Sequence, residues 1–285
     1  MATLKQIRQR IKTAKNIQQI TRAMKLVAAA RLKKATDKVL EARPYTDKMR
    51  DFMLSLSGGG GLPSHPLLEK RSVSRQWLIL VSADRGLAGS YNTNLIRRGG
   101  DWLRGQSVET KLVCVGKKGA QFFGKRGYEI VHHLTLPSAG ARLEDAVELA
   151  RIAREAFESG EVDSISILYS KFYSPIRQVP QIVQVLPIEP PESEETGPAK
   201  EYEFEPNAEM LLDALLPKYL LTLVYQALLE STASEHGSRM TAMTSATDNA
   251  GKMIQKLTLI ANRERQAGIT KEILEVVGGA EALKA

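Results

Sequence analysis

Small and apolar residues return at Met243, Ala246, Ala250, Met253, Leu257 and Ile260, in alternating steps of three and four. No proline or helix-ending turn interrupts the run, which continues through Asn262-Arg263-Glu264-Arg265-Gln266-Ala267 to Ile273. That rhythm is the seam of a helix packed against another helix. Ser, Thr, Asn and Ala crowd its flanks, where a strong dimer zipper carries Leu and charged pairs. Such a helix is built to be surrounded by protein.

The other end of the chain repeats the theme. Leu4, Ile7, Ile11 and Ala14, then Ile17, Ile20, Met24 and Val27 after a one-residue phase shift, predict a helix from Thr3 to about Leu56. Ser57, the run Gly58 to Gly61, Pro63 and Pro66 end it, and the glycines read as a hinge. At ~1.5 Å per residue this helix is on the order of 80 Å long, and a C-terminal helix from about Asn207 to Ala280 exceeds ~100 Å. Pro217 falls inside the second and is expected to kink or loosen it. Two such helices at opposite ends of one chain form an antiparallel coiled coil.

Between them the rhythm changes. Gln76–Ser82, Lys111–Gly116, Ser164–Ser170 and Gln181–Ile188 are short Val/Ile/Leu runs, with a weaker one at Tyr128–Leu134. Helical stretches at Leu87–Arg104, Lys117–Lys125 and Arg142–Ser159 separate them. Alternating strands and helices imply right-handed crossovers and a mainly parallel sheet covered on both faces. The fold class is therefore α/β: a long antiparallel coiled coil of N- and C-terminal helices plus a central Rossmann-like, doubly wound domain. The boundaries are an N-terminal helix (1–57), a Gly/Pro-rich linker (58–74), the α/β domain (75–190), an acidic loop (191–206) and a C-terminal helix (207–285). Pro190 to Ala199, rich in Pro and Glu, is expected to be mobile.

Charge is unevenly placed. The whole chain is +8, yet residues 1–50 hold fourteen Lys and Arg against three Asp and Glu, a net +11. An acidic partner along that helix is the direct implication. A nucleic-acid partner is the alternative; against it, the basic helix carries a continuous apolar seam and no aromatic before Tyr45. No run of eighteen apolar residues is present and the N-terminus has no apolar signal core, so the chain reads as mature from Met1 and cytosolic. Cys114 is the single cysteine, in an apolar run, and reads as a buried structural thiol.

The candidate chemistry is thin. Gly119-Ala120-Gln121-Phe122-Phe123-Gly124-Lys125-Arg126 approaches a phosphate-binding loop, but Arg126 stands where a hydroxyl for magnesium belongs and two Phe fill its centre. Gly86 and Gly89 lack a third glycine in dinucleotide register. His65, His132, His133 and His236 have no Ser, Cys or carboxylate partner at readable spacing. Ser82-Ala83-Asp84-Arg85-Gly86-Leu87-Ala88-Gly89 ends the first strand, a position where open sheets bind ligands. From the residues alone, an Asp-led helix start with glycines for close packing fits it equally well. No cofactor, metal or catalytic residue is expected.

Three segments resemble the gamma subunits of F-type ATP synthases: Ala233 to Leu283, Ile20-Thr21-Arg22-Ala23-Met24-Lys25-Leu26-Val27-Ala28-Ala29-Ala30, and Asp84-Arg85-Gly86-Leu87. The resemblance implies a bacterial-type rotor shaft with an α/β foot and no active site of its own, on the cytoplasmic face of the cell membrane. It implies beta-subunit contacts at Met24, Lys25, Asp84, Arg85, Arg239, Arg265 and Gln266. The segment Glu201-Tyr202-Glu203-Phe204-Glu205 resembles the part of the foot that meets the membrane ring and the epsilon subunit, with Tyr202, Glu203, Phe204 and Glu205 as the contacts. The alpha and beta subunits are the implied sleeve, membrane association is indirect, and no nucleic acid is involved.

Overall fold

The computed structural model describes residues 3–58, 64–189 and 208–282, with side chains for 3–54, 64–189 and 210–279. The glycine hinge beyond Gly58, the Pro190–Ala199 loop and the Tyr202–Glu205 contacts lie outside these residues. The elements are α1 (Leu4–Gly58), β1 (Arg75–Val81), α2 (Tyr91–Arg104), β2 (Glu109–Val115), α3 (Lys117–Gly124), β3 (Ile130–Leu134), α4 (Leu143–Glu158), β4 (Ser164–Phe172), β5 (Gln178–Leu186) and α5 (Ala208–Ala282), with a short 3-10 turn at Pro66–Leu68. α1 and α5 are 55 and 75 residues long. α5 runs on through Pro217, and α1 likewise contains Pro44.

The sheet has the order β3-β2-β1-β4-β5. Its first four strands are parallel and β5 is antiparallel to β4. Strand β5 joins β4 by a tight connection, which only an antiparallel pair allows. The period of two along β1 divides its side chains between two cores. Trp77, Ile79 and Val81 join Leu149 and Phe157 of α4 and Leu216, Leu220 and Val224 of α5. Leu78 and Leu80 face the other way, onto Leu95 and Leu103 of α2 and Phe123 of α3. Both faces of the sheet are thus covered, and its strands read as unbroken apolar runs for that reason.

The chain divides into two compact units, Ala28–Arg239 and Met1–Val27 with Met240–Ala285. In the first, an 18-residue window of α5 reaches a mean hydropathy of 1.2, enough by length and composition to cross a membrane. Here Leu212, Leu216, Leu220, Val224 and Leu228 of α5 are instead core residues of the α/β domain. Residues Ala227 to Ser238 are buried apart from Glu235, so the small polar stretch of this helix is surrounded by the chain's own domain.

In the second unit the two helices pack antiparallel: Thr21 meets Thr247, and Gln18 lies over Gly251. The expected phase shift in α1 is absent. Leu4, Ile7, Ile11, Ala14, Gln18, Thr21 and Lys25 are its buried or half-buried seam, whereas Ile17, Ile20 and Val27 are about half exposed (49%, 59% and 52%). The same spacing resumes in the first unit at Ala28, Leu32, Ala35 and Val39. A strict heptad keeps one stripe turned to the partner helix, and small partners such as Gly251 and Thr247 accept polar residues there. The C-terminal seam shifts similarly. Met243, Ala246, Ala250 and Leu257 hold their places, with Thr247 beside Ala246 against Thr21, but Ile254 and Ala261 replace Met253 and Ile260 as the more buried alternates, leaving Met253 57% exposed.

Candidate functional site

At the carboxyl end of β1, where the chain crosses between β2 and β4, an open α/β sheet has its topological crevice. In this protein that crevice is filled from within. The Ser82 hydroxyl lies within hydrogen-bond distance of the Val115 and Gly116 carbonyls, at 3.1 and 3.2 Å, and accepts from the Gly119 N–H at 2.9 Å. A Cβ at Gly116, whose φ is +90°, would sit 2.1 Å from the Ser82 carbonyl oxygen. A Cβ at Gly119 would meet Leu80 Cδ2 at 2.6 Å. Phe123 is fully buried, and the Arg126 guanidinium covers the Phe122 ring. The glycines of the phosphate-loop-like stretch therefore serve close packing, and the Gly119 N–H that a phosphate would need is taken by Ser82.

The segment Asp84–Gly89 is a loop, and α2 begins only at Tyr91. Asp84 does not start α2, as the sequence suggested. Its Oδ1 accepts the Lys117 N–H at 2.9 Å, the first amide of α3, where an N-terminal donor and the helix dipole favour a carboxylate. Asn92 Oδ1 accepts from the Ala83 N–H, and its Nδ2 donates to the Arg85 carbonyl at 3.4 Å. Leu87 takes φ +58°, a left-handed conformation that a branched side chain adopts at a cost, and its side chain is 65% exposed.

Helix α5 holds the other side of the loop. Ser238 Oγ donates to the Ala88 carbonyl at 2.7 Å, and Arg239 Nη2 reaches the Gly86 carbonyl at 3.5 Å. Arg239 Nη1 pairs with Glu235 Oε1 at 2.6 Å, both side chains mostly buried (12% and 23% exposed). Burial raises the Glu235 carboxyl, against the lowering effect of Arg239 and Arg31, with Asp84 adding to the rise. Burial lowers His236 to about 4, with Arg239 and Arg31 in the same direction, and its Nε2 has no partner. Tyr91, buried beside Glu235 and Ser231, is pushed up. One turn earlier, Ser231 accepts the Ser170 N–H, Ser234 donates to the Ser170 carbonyl and Glu230 accepts the Phe172 N–H. The serines of α5 thus fasten the end of β4 and the loop that follows β1.

The structure brings Asp84, Arg85 and Arg239 to one place. Arg85 is exposed; Asp84 and Arg239 are engaged internally. Met24 and Lys25 are half-buried side by side on α1, and Arg265 and Gln266 are exposed on α5. Sequence reading missed Glu235, Ser238, Tyr91 and Asn92. Only the four-residue spacing of Glu235 and Arg239 on one helix face was available as a signal.

Elsewhere, polar groups have structural occupations. His65 Nδ1 accepts the Leu67 N–H, and the His132 ring stands edge-on to Trp77. Burial pushes the Cys114 thiol up to about 12, the state of an inert core thiol. Among the described residues no group of three or more His, Cys, Asp or Glu could hold a metal ion.

Comparison with known proteins covers nearly all of the chain. The family model described as ATP synthase matches residues 3–283. The ATP synthase gamma chain of Pelotomaculum thermopropionicum is 46% identical over 284 residues, and that of Moorella thermoacetica 46% over 285, each covering 100% of both chains. Among solved structures, a chain of the Euglena gracilis mitochondrial ATP synthase (OSCP/F1/c-ring) has a TM-score of 0.73 at 18% identity, covering 98% of this chain and 94% of that one. A chain of the Tetrahymena thermophila mitochondrial ATP synthase central stalk and c-ring has a TM-score of 0.60 at 23% identity, covering 80% of this chain and 99% of that one. At these identities the two structures show a shared fold.

Proposed function

This chain belongs to the family of ATP synthase gamma chains, and from that premise we propose that it is the central rotor shaft of an F-type ATP synthase, with no bond-making chemistry of its own. The alpha and beta subunits form its sleeve. The membrane ring and the epsilon subunit meet its α/β foot, with Tyr202, Glu203, Phe204 and Glu205 as the contacts. The chain works on the cytoplasmic face of a bacterial membrane, attached through the complex.

One observation carries this reading: the unit made by the two chain ends has more large apolar surface than two helices can bury. Outside its seam stand Ile17, Ile20 and Val27 of α1 and Met253, Leu259, Ile273, Leu274 and Val276 of α5, from 49% to 72% exposed. Apolar surface on that scale marks a place other protein covers, and the +11 of the first fifty residues gives the cover an acidic lining. A two-helix shaft lacks threefold symmetry, so at each angle it makes different contacts with three equivalent neighbours. Differential contact is what biases equal sites into unequal affinities, and linkage makes the effect reciprocal. Met24, Lys25, Arg85, Arg265 and Gln266 are the proposed direct contacts with beta. Asp84 and Arg239 belong to the same surface by holding its loop.

Co-expression with alpha and beta subunits tests the proposal. The expected result is one copy of this chain per hexamer, with ATPase activity that depends on it and is lost when α5 is cut back deeply. A chain that ignores the hexamer and binds nucleic acid at low salt would overturn it.

A further inference from the structure

We propose that Glu235 and Arg239 form a charge-operated latch that fixes the Asp84–Gly89 loop against α5. Two anchors on the far side, the Asp84 carboxylate on the Lys117 N–H and the Asn92 amide on Ala83 and Arg85, hold the loop's entry. From α5 its middle is held by Ser238 at the Ala88 carbonyl, which also accepts the Tyr91 N–H of α2, and by Arg239 at the Gly86 carbonyl. Gly86 and Ala88 flank Leu87, the residue in the left-handed conformation. A non-glycine residue stays in that region only while its surroundings over-determine it, and these two bonds are the clamps.

Arg239 reaches Gly86 because Glu235, one turn below, fixes its guanidinium at 2.6 Å. A protonated Glu235 no longer fixes that charge, and the guanidinium then has water as the better partner. The charged and titratable groups facing this pair are Arg31 from α1, Asp84 from the loop, Tyr91 from α2 and His236 from α5. Tyr91, pushed up by burial, stays neutral as pH falls from 7 towards 4.5. Glu235, raised above its ordinary value by burial, takes up its proton before an ordinary carboxylate does as pH falls. His236 begins to charge near 4 and adds a cation beside Arg239, which loosens the pair further. Arg239 is thus a positioning residue for the exposed Arg85 and Leu87. Presentation of those two to a partner rests on the rotor reading; the latch does not.

Hydrogen exchange on the full chain tests the latch directly. Two amides report on the loop: Tyr91, bonded to the Ala88 carbonyl, and Lys117, bonded to Asp84. Leu112, bonded to the Glu129 carbonyl within the sheet, is the control. In Glu235→Gln and in Arg239→Gln, exchange at Tyr91 and Lys117 should rise at least about tenfold with Leu112 unchanged. After correction for intrinsic rates, taking the unaltered chain from pH 7 to 4.5 should give the same rise, and Glu235→Gln should not respond to pH. Loop amides unmoved in both variants, a parallel rise at Leu112, or loop amides of the unaltered chain that ignore pH would each overturn the latch. None of these outcomes depends on whether the chain enters a hexamer.

Discussion

The hydroxyls of Thr21 and Thr247 lie 2.8 Å apart, across the two helices that the chain ends bring together. Each also lies within reach of a carbonyl of its own helix, Thr21 of Gln18 at 3.1 Å and Thr247 of Met243 at 2.7 Å. With one proton per hydroxyl, one threonine donates across and the other donates to its own backbone, so both are satisfied. Thr21 is 9% exposed, and an unpartnered hydroxyl at that depth is costly.

Replacing Thr21 by Val should therefore cost about 1 kcal/mol, and the Thr21→Val/Thr247→Val pair should cost less than the sum of the singles. Urea unfolding of the four chains of the cycle measures this. Strict additivity would mean that the two hydroxyls do not bond to each other.

The α/β domain was legible in the sequence because short, continuous Val/Ile/Leu runs and intervening helical patterns are local signals, and only their ends moved. The seams were not. Ile17, Ile20 and Val27 are more apolar than Gln18, Thr21 and Lys25, so composition favoured the wrong stripe. A chain whose outer face is also to be covered carries two apolar stripes, and sequence alone does not say which one meets its own second helix. The role of Asp84 was hidden for a different reason. Its partner, the Lys117 amide, is 33 residues away, and Gly86 and Arg239 are 153 apart.

Gly116 and Gly119 should fail differently on substitution. Gly116→Ala forces a Cβ onto the Ser82 carbonyl at positive φ and should prevent stable folding. Gly119→Ala presses on the side chains of Leu80 and Ser82, which can shift, and should cost about 1–3 kcal/mol. Since packing is the role of both, millimolar ATP or ADP should leave the melting temperature of the isolated chain unchanged. A nucleotide-dependent rise would restore the phosphate-loop reading.

Asp163 accepts the Ser74 and Arg75 amides at 2.9 Å and the Ser74 hydroxyl at 2.8 Å, which hold its carboxyl below the ordinary value. A depressed carboxylate stabilises the fold above its unfolded value, and that stabilisation is lost as pH falls through the folded one. Asp163→Asn should cost about 2 kcal/mol at pH 7. The gap between variant and parent should close below the ordinary aspartate range.

His236 acts with the opposite sense of charge. It is 3% exposed and its folded value is depressed from 6.5 to about 4. Between those values the unfolded chain holds a proton that the folded chain does not. Stability from this group is therefore complete above 6.5 and declines as pH falls, by up to about 3 kcal/mol at ~1.4 kcal/mol per pH unit. His236→Leu should flatten this part of the acid limb in a series of unfolding curves, and an unchanged slope would rule His236 out as its source.

The two kinds of apolar residue in the helical pair separate folding from assembly. Ala250 is 7% exposed within the seam, and Phe there pushes the helices apart at about 1–3 kcal/mol. Ala250→Phe should therefore lower the stability of the isolated chain as well as the ATPase rate of the reconstituted hexamer, and Ala246→Phe should also slow turnover or block assembly. Ile20, 59% exposed on the free chain, has little to lose on its own. Ile20→Gln should change stability by no more than about 0.5 kcal/mol while weakening co-assembly with alpha and beta subunits or slowing their ATPase. Only a surface that becomes buried in the complex gives that combination. If Ile20→Gln assembles and turns over like the parent, the outer stripe faces water in the complex too, and the sleeve must grip the shaft elsewhere.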